Sequence, residues 1–308
     1  PDLFRERSLA SSIKGRKIMI TGASSGIGLE TALKIGEAGG EVLLVSRTRE
    51  KLEEVAAKVE EAGGTAHVHP ADLSNLEDID RLAAEVLEVH GGVDVLVNNA
   101  GRSIRRAVAR SYDRFHDFER TMQLNYFGAL KLILAFLPGM RERKSGHVIN
   151  VSSIGVQTNT PRFSAYVASK AALDAFSRCV APECVADNVK FTTVYMPLVR
   201  TPMIAPTDIY KAFPTLTPEE AAQMLTDAMI DKPKRLASRL GTFGEILYSV
   251  SPKSVDIVLN TAYNLFPDSA AAKKEAKDGK PVPAEEKKDN EMSTEAVAMA
   301  YLLRGVHF

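Results

Sequence analysis

Lys17-Ile18-Met19-Ile20-Thr21-Gly22-Ala23-Ser24-Ser25-Gly26-Ile27-Gly28 is the stretch whose reading decides the fold. The apolar run at 17–21 predicts a short strand, and Leu29 to Ala38 has helical character, stopped by Gly39-Gly40. The glycines between them permit a tight turn and let the backbone approach a diphosphate closely. The helix start adds free N–H groups and a partial positive charge. Strand, glycine turn and helix in that order predict a dinucleotide site, with a bare turn as the competing reading.

The same alternation continues outward. Strands are predicted at 41–46, 65–69, 93–97, 147–151, 189–195 and 235–238. Helices are predicted at 49–62, 75–90, about 115–140 with a bend or end near Pro138, from Tyr166 to about Ala186, and at 218–229. Strands alternating with helices are the signature of βαβ units. The expected fold is therefore α/β: a doubly wound (Rossmann-type) parallel sheet of about seven strands, helices on both faces and a C-terminal helical extension. Four segments are expected: a polar lead-in at 1–14, a dinucleotide-binding domain at 15–240, a helical extension at 241–268, and a Lys/Glu/Pro-rich linker with a closing helix at 269–308. The apolar residues of 241–268 read as two helices around Pro252, packed on the core or in a subunit interface. The alternatives for them are a wall for an acyl chain or a membrane-surface contact.

Composition narrows the classes. The 308 residues carry 39 Lys+Arg against 39 Asp+Glu, so neither net charge nor an aromatic-rich basic motif points to nucleic acid. Cys179 and Cys184 form neither a CxxC pair nor a disulfide framework, which gives no metal site and fits a reducing, cytoplasmic setting. The longest apolar runs fall short of 18 residues, so no membrane span is predicted, although peripheral contact remains open. The chain starts at Pro1 rather than Met, as a piece of a longer polypeptide or a processed chain would.

The second strand ends Val45-Ser46-Arg47-Thr48-Arg49. An acid that would take a ribose 2′-hydroxyl is missing there, and Arg47 and Arg49 suit a 2′-phosphate, which favours NADP(H) over NAD(H). Asp72, after the third strand, could accept from an adenine amino group or cap the next helix. Asn98-Asn99-Ala100-Gly101 follows the fourth strand at the same sheet edge, where small and amide residues let a loop lie against a cofactor. Tyr166 and Lys170 are four residues apart, one turn on one helix face. An ammonium there would favour the phenolate and lower the tyrosine pKa. A buried Tyr with a snorkelling Lys is the plainer reading.

Taken together, TGASSGIG at 21–28, Asp72-Leu73, NNAG at 98–101, Asn125, Ser153, Tyr166-x-x-x-Lys170, and Pro197 with Thr201 resemble the short-chain dehydrogenase/reductase family. The resemblance covers residues 15 to about 240. It implies a catalytic set of Asn125, Ser153, Tyr166 and Lys170. Ser153 would polarise a substrate carbonyl and Tyr166 would donate the proton. Lys170 would lower the tyrosine pKa and hold the nicotinamide ribose, and Asn125 would anchor a relay water. It also implies cofactor contacts from Gly22, Ser24, Ser25, Gly26, Ile27, Gly28, Leu73, Asn98, Ala100, Gly101, Pro197, Val199 and Thr201, alongside Arg47, Arg49 and Asp72. Pro197-Leu198 stands where Pro-Gly is frequent in the family, so the loop is expected to be stiffer or shaped for its own substrate.

Within the family, the runs 98–106, 112–128, 162–166 and 196–207 look like bacterial fatty acyl-CoA reductases. That resemblance implies reduction of a long-chain acyl-CoA thioester to a fatty aldehyde by NADPH, in a homodimer or homotetramer. Arg102, Arg105 and Arg106 could meet CoA phosphates, contact the cofactor or form a solvated basic loop. Cys179, nine residues past Lys170, is poorly placed as a nucleophile and is expected in the core. Reduction of a ketone or a 3-oxoacyl thioester by the same residues, and a non-catalytic NADP-binding scaffold, are the alternatives.

Overall fold

The computed structural model describes residues 8–204 and 215–265. The expectations for 269–308, and for the last residues of 241–268, lie outside the described residues.

Seven parallel strands form one sheet: β1 (Lys17–Thr21), β2 (Glu41–Ser46), β3 (Thr65–Pro70), β4 (Val95–Asn98), β5 (Gly146–Ser153), β6 (Val189–Met196) and β7 (Arg235–Ala237). Their order is β3-β2-β1-β4-β5-β6-β7. The strand order reverses between β1 and β4, whose register pairs Ile18 with Val95 and Ile20 with Val97. In open α/β sheets a ligand crevice lies beyond the carboxyl ends of the strands at such a reversal.

Alternate residues along each strand feed two apolar layers. Ile18, Ile20, Val42, Leu44 and Val97 face one side, with Ile35 of α2 (Gly26–Glu37), Leu52 of α3 (Arg49–Glu61) and Leu225 of α9 (Pro218–Asp231). Met19, Leu43, Val45 and Leu96 face the other, with Ile79 of α4 (Leu76–His90), Phe136 of α6 (Ala129–Glu142) and Leu173 of α8 (Ser164–Glu183). Strands buried on both faces must be near-continuously apolar, as these are. Under the polar lead-in, α1 (Leu9–Ile13) sets Ile13 into the first layer, so part of that segment belongs to the core.

The helix expected over 115–140 is three pieces. α5 (Phe115–Met122) passes through a π-helical stretch at Gln123–Gly128 into α6, which runs through Pro138 to Glu142. The break sits at the wider turn and not at the proline. Proline removes one N–H bond, here to the carbonyl of Leu134, a residue 56% exposed and open to water. Gly128 is required at the wide turn, because a Cβ there would stand 2.5 Å from the Leu73 carbonyl oxygen.

The boundary expected at 240 falls inside a helix. β7 leads through Ser238, an N-cap, directly into α10 (Arg239–Val250), and α11 (Pro252–Leu265) follows. Gly241 packs on Gln157 and Gly244 on Thr158, which joins α10 to α7 (Ile154–Thr158). Among the described residues no helix is long and apolar enough to cross a membrane.

Candidate active site

A cleft of about 960 Å³ opens at the carboxyl ends of the strands. The turn after β1 forms its floor on one side. Gly22 adopts φ +68° and its N–H donates to the Val45 carbonyl at 2.8 Å. A Cβ on Gly22 would stand 3.1 Å from Ala100 Cα, and one on Gly28 would lie 2.4 Å from the Gly22 carbonyl oxygen. Gly22 thus opens the turn, whereas Gly28, which does not line the cleft, lets α2 close on it. Ser25, the N-cap of α2, makes no side-chain cap bond, so the first N–H groups of that helix are left to a ligand at the helix N-terminus.

Thr21 ties this turn to the segment after β4. Its hydroxyl accepts from the N–H groups of Asn99 and Ala100, both at 2.9 Å, and donates to the Val97 carbonyl at 3.2 Å. Asn99 lines the cleft and donates its amide to the Thr21 carbonyl at 2.9 Å. Asn98, the residue expected to meet a cofactor, is instead buried and donates to Asn150 at 2.8 Å. Asn150 in turn donates to Ser177 on α8, also at 2.8 Å. Asn98 therefore joins β4 to β5 beneath the site. Strand alternation could have found this, since Asn98 shares the face of Leu96.

At the end of β2, Ser46, Arg47, Thr48 and Lys51 line the cleft. Arg49 does not: it turns along α3 to Glu53, 3.7 Å away, an i,i+4 pair that the sequence spacing already offered. Lys51 supplies the second cation on this rim. The buried Ser46 hydroxyl has no partner among the described residues. An unpaired hydroxyl beside Arg47 and Lys51, with no acid at the strand end, fits a phosphorylated ribose. Asp72 accepts from the Ser74 N–H at 2.9 Å and lines the cleft with Leu73, while the cap of α4 is Asn75, which accepts from Glu77 and Asp78.

β5 and α8 build the wall that carries Ser153, Tyr166 and Lys170. Ser153 closes β5 and caps α7, its Oγ accepting from the Gly155 N–H at 3.1 Å. That bond occupies a lone pair and leaves the hydroxyl proton to act on the neighbouring Tyr166 phenol. Burial pushes the Tyr166 pKa up, and Ser153 pulls the other way. The expected lowering by Lys170 is thus corrected. The Lys170 ammonium, itself buried, donates to the Val151 carbonyl at 2.7 Å, and burial lowers its pKa to about 8.

Gly101 marks where two of the residues expected to be catalytic converge, since a Cβ there would stand 3.3 Å from Lys170 Nζ and 3.4 Å from Asn125 Oδ1. Asn125 lies on the π-helical turn, fully buried and just below the cleft. It accepts from the Arg102 N–H at 2.8 Å and donates to the Arg102 carbonyl and to Ser169 Oγ, both at 2.9 Å. Ser169 hands the link on to the Tyr166 carbonyl at 2.7 Å. The wide turn aims Asn125 inward, and Ser169, absent from the sequence reading, braces the Tyr166 turn of α8.

Opposite stand the long side chains. Leu198, Met203, Ile104, Leu240, Ala262 and Tyr263 all line the cleft. Arg162, at φ +69°, lays its guanidinium 4.0 Å from the Tyr263 ring centre and donates to the Tyr263 carbonyl at 2.9 Å, clamping α11 over the opening. Arg102, Arg105 and Arg106 also line the cleft, but Arg106 is buried against Asp117 at 3.2 Å. Burial raises the Asp117 pKa, yet Arg114 and Arg120 outweigh it and hold the carboxyl below the usual range. Cys179 is exposed and Cys184 is the buried cysteine, which reverses the expectation for Cys179. Val199, Thr201 and Pro197 line the cofactor side, and Thr201 Cγ2 would meet a Cβ on Gly26 at 3.0 Å.

Comparison with known proteins agrees with this geometry. The short chain dehydrogenase family model matches residues 16–209. A fatty acyl-CoA reductase of Acinetobacter baylyi is 56% identical over 270 residues, covering 88% of this chain and 90% of that protein. A fatty acyl-CoA reductase of Mycobacterium tuberculosis is 46% identical over 248 residues, covering 80% and 84%. Among solved structures, a short-chain dehydrogenase from Streptomyces avermitilis superposes with a TM-score of 0.68 at 30% identity, covering 82% of this chain and 98% of that one. A metagenomic short-chain oxidoreductase in complex with NADP gives 0.62 at 32% identity, covering 73% and 97%. The glycine turn, the Ser153–Tyr166–Lys170 wall and these likenesses lead to one conclusion: this chain belongs to the short-chain dehydrogenase/reductase family of oxidoreductases.

Proposed function

We propose that the chain reduces a long-chain fatty acyl-CoA thioester to the aldehyde, with NADPH as the hydride donor. The observation that best supports this is a single cleft with a phosphate-suited glycine turn at one end and an apolar, Tyr263-capped wall at the other, the Ser153–Tyr166 hydroxyl pair standing between them. The identity to two fatty acyl-CoA reductases adds to it.

Residues of the glycine turn and Ser46, Arg47, Thr48 and Lys51 would hold NADPH, which when bound supplies hydride to the carbonyl carbon. The protein does the rest. Ser153 and Tyr166 donate to the carbonyl oxygen and stabilise the charge that grows there as the carbon becomes tetrahedral. As the carbonyl re-forms, the carbon–sulfur bond breaks and CoA leaves as its thiolate, which takes a proton to become the thiol. No covalent cysteine is needed, and exposed Cys179 lies outside the cleft. Lys170 is held in the cleft wall by its bond to the Val151 carbonyl, and Asn125 and Ser169 fix the position of the Tyr166 turn. The C-terminal wall would carry the acyl chain, and by family resemblance the working unit is a homo-oligomer.

The test is NADPH consumption with palmitoyl-CoA, a 3-oxoacyl thioester and a steroid ketone side by side, products identified by mass spectrometry. Aldehyde and free CoA in equal amounts from palmitoyl-CoA are expected. Brisk ketone or 3-oxoacyl reduction with no palmitoyl-CoA turnover would overturn the reading.

A further inference from the structure

Glu41 opens β2, His67 and His69 lie two residues apart on β3, and His90 ends α4. Their side chains meet near the amino ends of the strands, away from the cleft, where the His90 carbonyl also accepts from Lys17 Nζ at the start of β1. The spacing of two along β3 turns both imidazoles to one face of the sheet, and α4 lies over that face. His67 Nε2 stands 3.0 Å from a Glu41 carboxylate oxygen, and the His67 and His90 rings are 4.6 Å apart. One ligating atom from each of Glu41, His67 and His90 falls within 4.8 Å of the other two.

We propose that Glu41, His67 and His90 form a zinc site that ties the edge strand β3 and the end of α4 to β2. Two imidazoles and a carboxylate are a zinc donor set, with water free to complete the tetrahedron. Zinc holds such atoms at ~2.0–2.2 Å, so its ligands sit roughly 3.3 Å from one another, and side-chain rotation closes the remaining gap. His67 faces Glu41 with Nε2 and ligates through that lone pair in the tautomer that carries its one proton on Nδ1, so no proton has to leave. Glu41 and His67 are each about one third exposed, at 32% and 33%, which gives an ion a way in. His69 backs the set: its Nδ1 stands 2.8 Å from Glu85, and its Nε2 stands 3.1 Å from His90 Nε2, so His90 would bind the ion through Nδ1.

This site does not depend on the proposed activity, and neither does its test. Full-length protein stripped with a chelator is titrated with zinc chloride by calorimetry, and its thermal unfolding is followed with and without the metal. One zinc per chain at micromolar affinity or tighter, with a rise in Tm, is expected. His67→Gln and His90→Gln should each weaken binding at least tenfold while NADPH binding stays unchanged. Zinc binding that survives both substitutions, or no saturable binding, overturns the proposal. Cobalt(II) loading of the unmutated protein reads the site without a variant: intense visible d–d bands of a tetrahedral centre are expected, and their absence overturns it equally.

Discussion

The two walls of the cleft are made by different means. The cofactor-side wall is built of backbone and small residues that follow each other closely in sequence: Gly22, Ser24, Ser25 and Gly26, held by the Thr21 hydroxyl. The substrate-side wall is built of large side chains brought from far apart, Arg162 meeting Tyr263 across 101 residues. A wall that positions diphosphate through N–H groups tolerates almost no added atoms. A wall that meets substrate through side chains can change with little cost to the fold. The first should determine whether the protein works at all, the second what it works on.

Four substitutions and one titration bear on that division. The largest effect is expected where both walls meet: Tyr166→Phe should lower kcat by about a thousandfold while leaving NADPH affinity within about twofold, read by turnover and by NADPH fluorescence titration. On the cofactor side, Gly22→Ala forces a side chain into a left-handed turn against Ala100 and should weaken NADPH binding by roughly ten- to a hundredfold. A smaller loss, about tenfold, is expected for NADPH with Arg47→Ala, with NADH use unchanged in the same assay.

The pH profile probes the catalytic wall alone. Lys170 is an ammonium below about pH 8 and loses its proton as the pH rises through that value. Accordingly kcat/KM should fall above about pH 8, by up to about tenfold per unit, and Tyr263→Ala should leave that limb where it is. The smallest effect is on the substrate side: Tyr263→Ala should raise KM for palmitoyl-CoA by about threefold to tenfold, with NADPH affinity unchanged. An equal loss of NADPH binding in that variant would erase the distinction between the walls.

The same division explains what the sequence made legible. The alternation of strands and helices, the glycine turn and the Tyr166–Lys170 spacing were readable because each is a local pattern: a period, a turn residue, a spacing of one helical turn; Ser153 came only from the family resemblance. The errors lie where a choice depends on which way a side chain points. Asn98 and Asn99 are adjacent and chemically identical, yet strand alternation sends the first into the core and leaves the second in the cleft. Arg49 and Lys51 are both cations at the start of α3, but two residues apart they point to opposite sides of the helix, one along α3 toward Glu53 and the other to the cleft. The π-helical turn that aims Asn125 inward carries no sequence period of its own. Gly128, which must admit the Leu73 carbonyl, was its one visible trace. Ser169, Arg162 and Tyr263 act through contacts that no local pattern announces.

The proposed hydride transfer from NADPH to an acyl thioester carbonyl can be followed with NADPH carrying deuterium at the transferable position and unlabelled palmitoyl-CoA. Hexadecanal with one deuterium on its carbonyl carbon and one free CoA released per NADPH oxidised are expected. Unlabelled aldehyde, or NADPH oxidised with the thioester bond intact, would overturn the proposal.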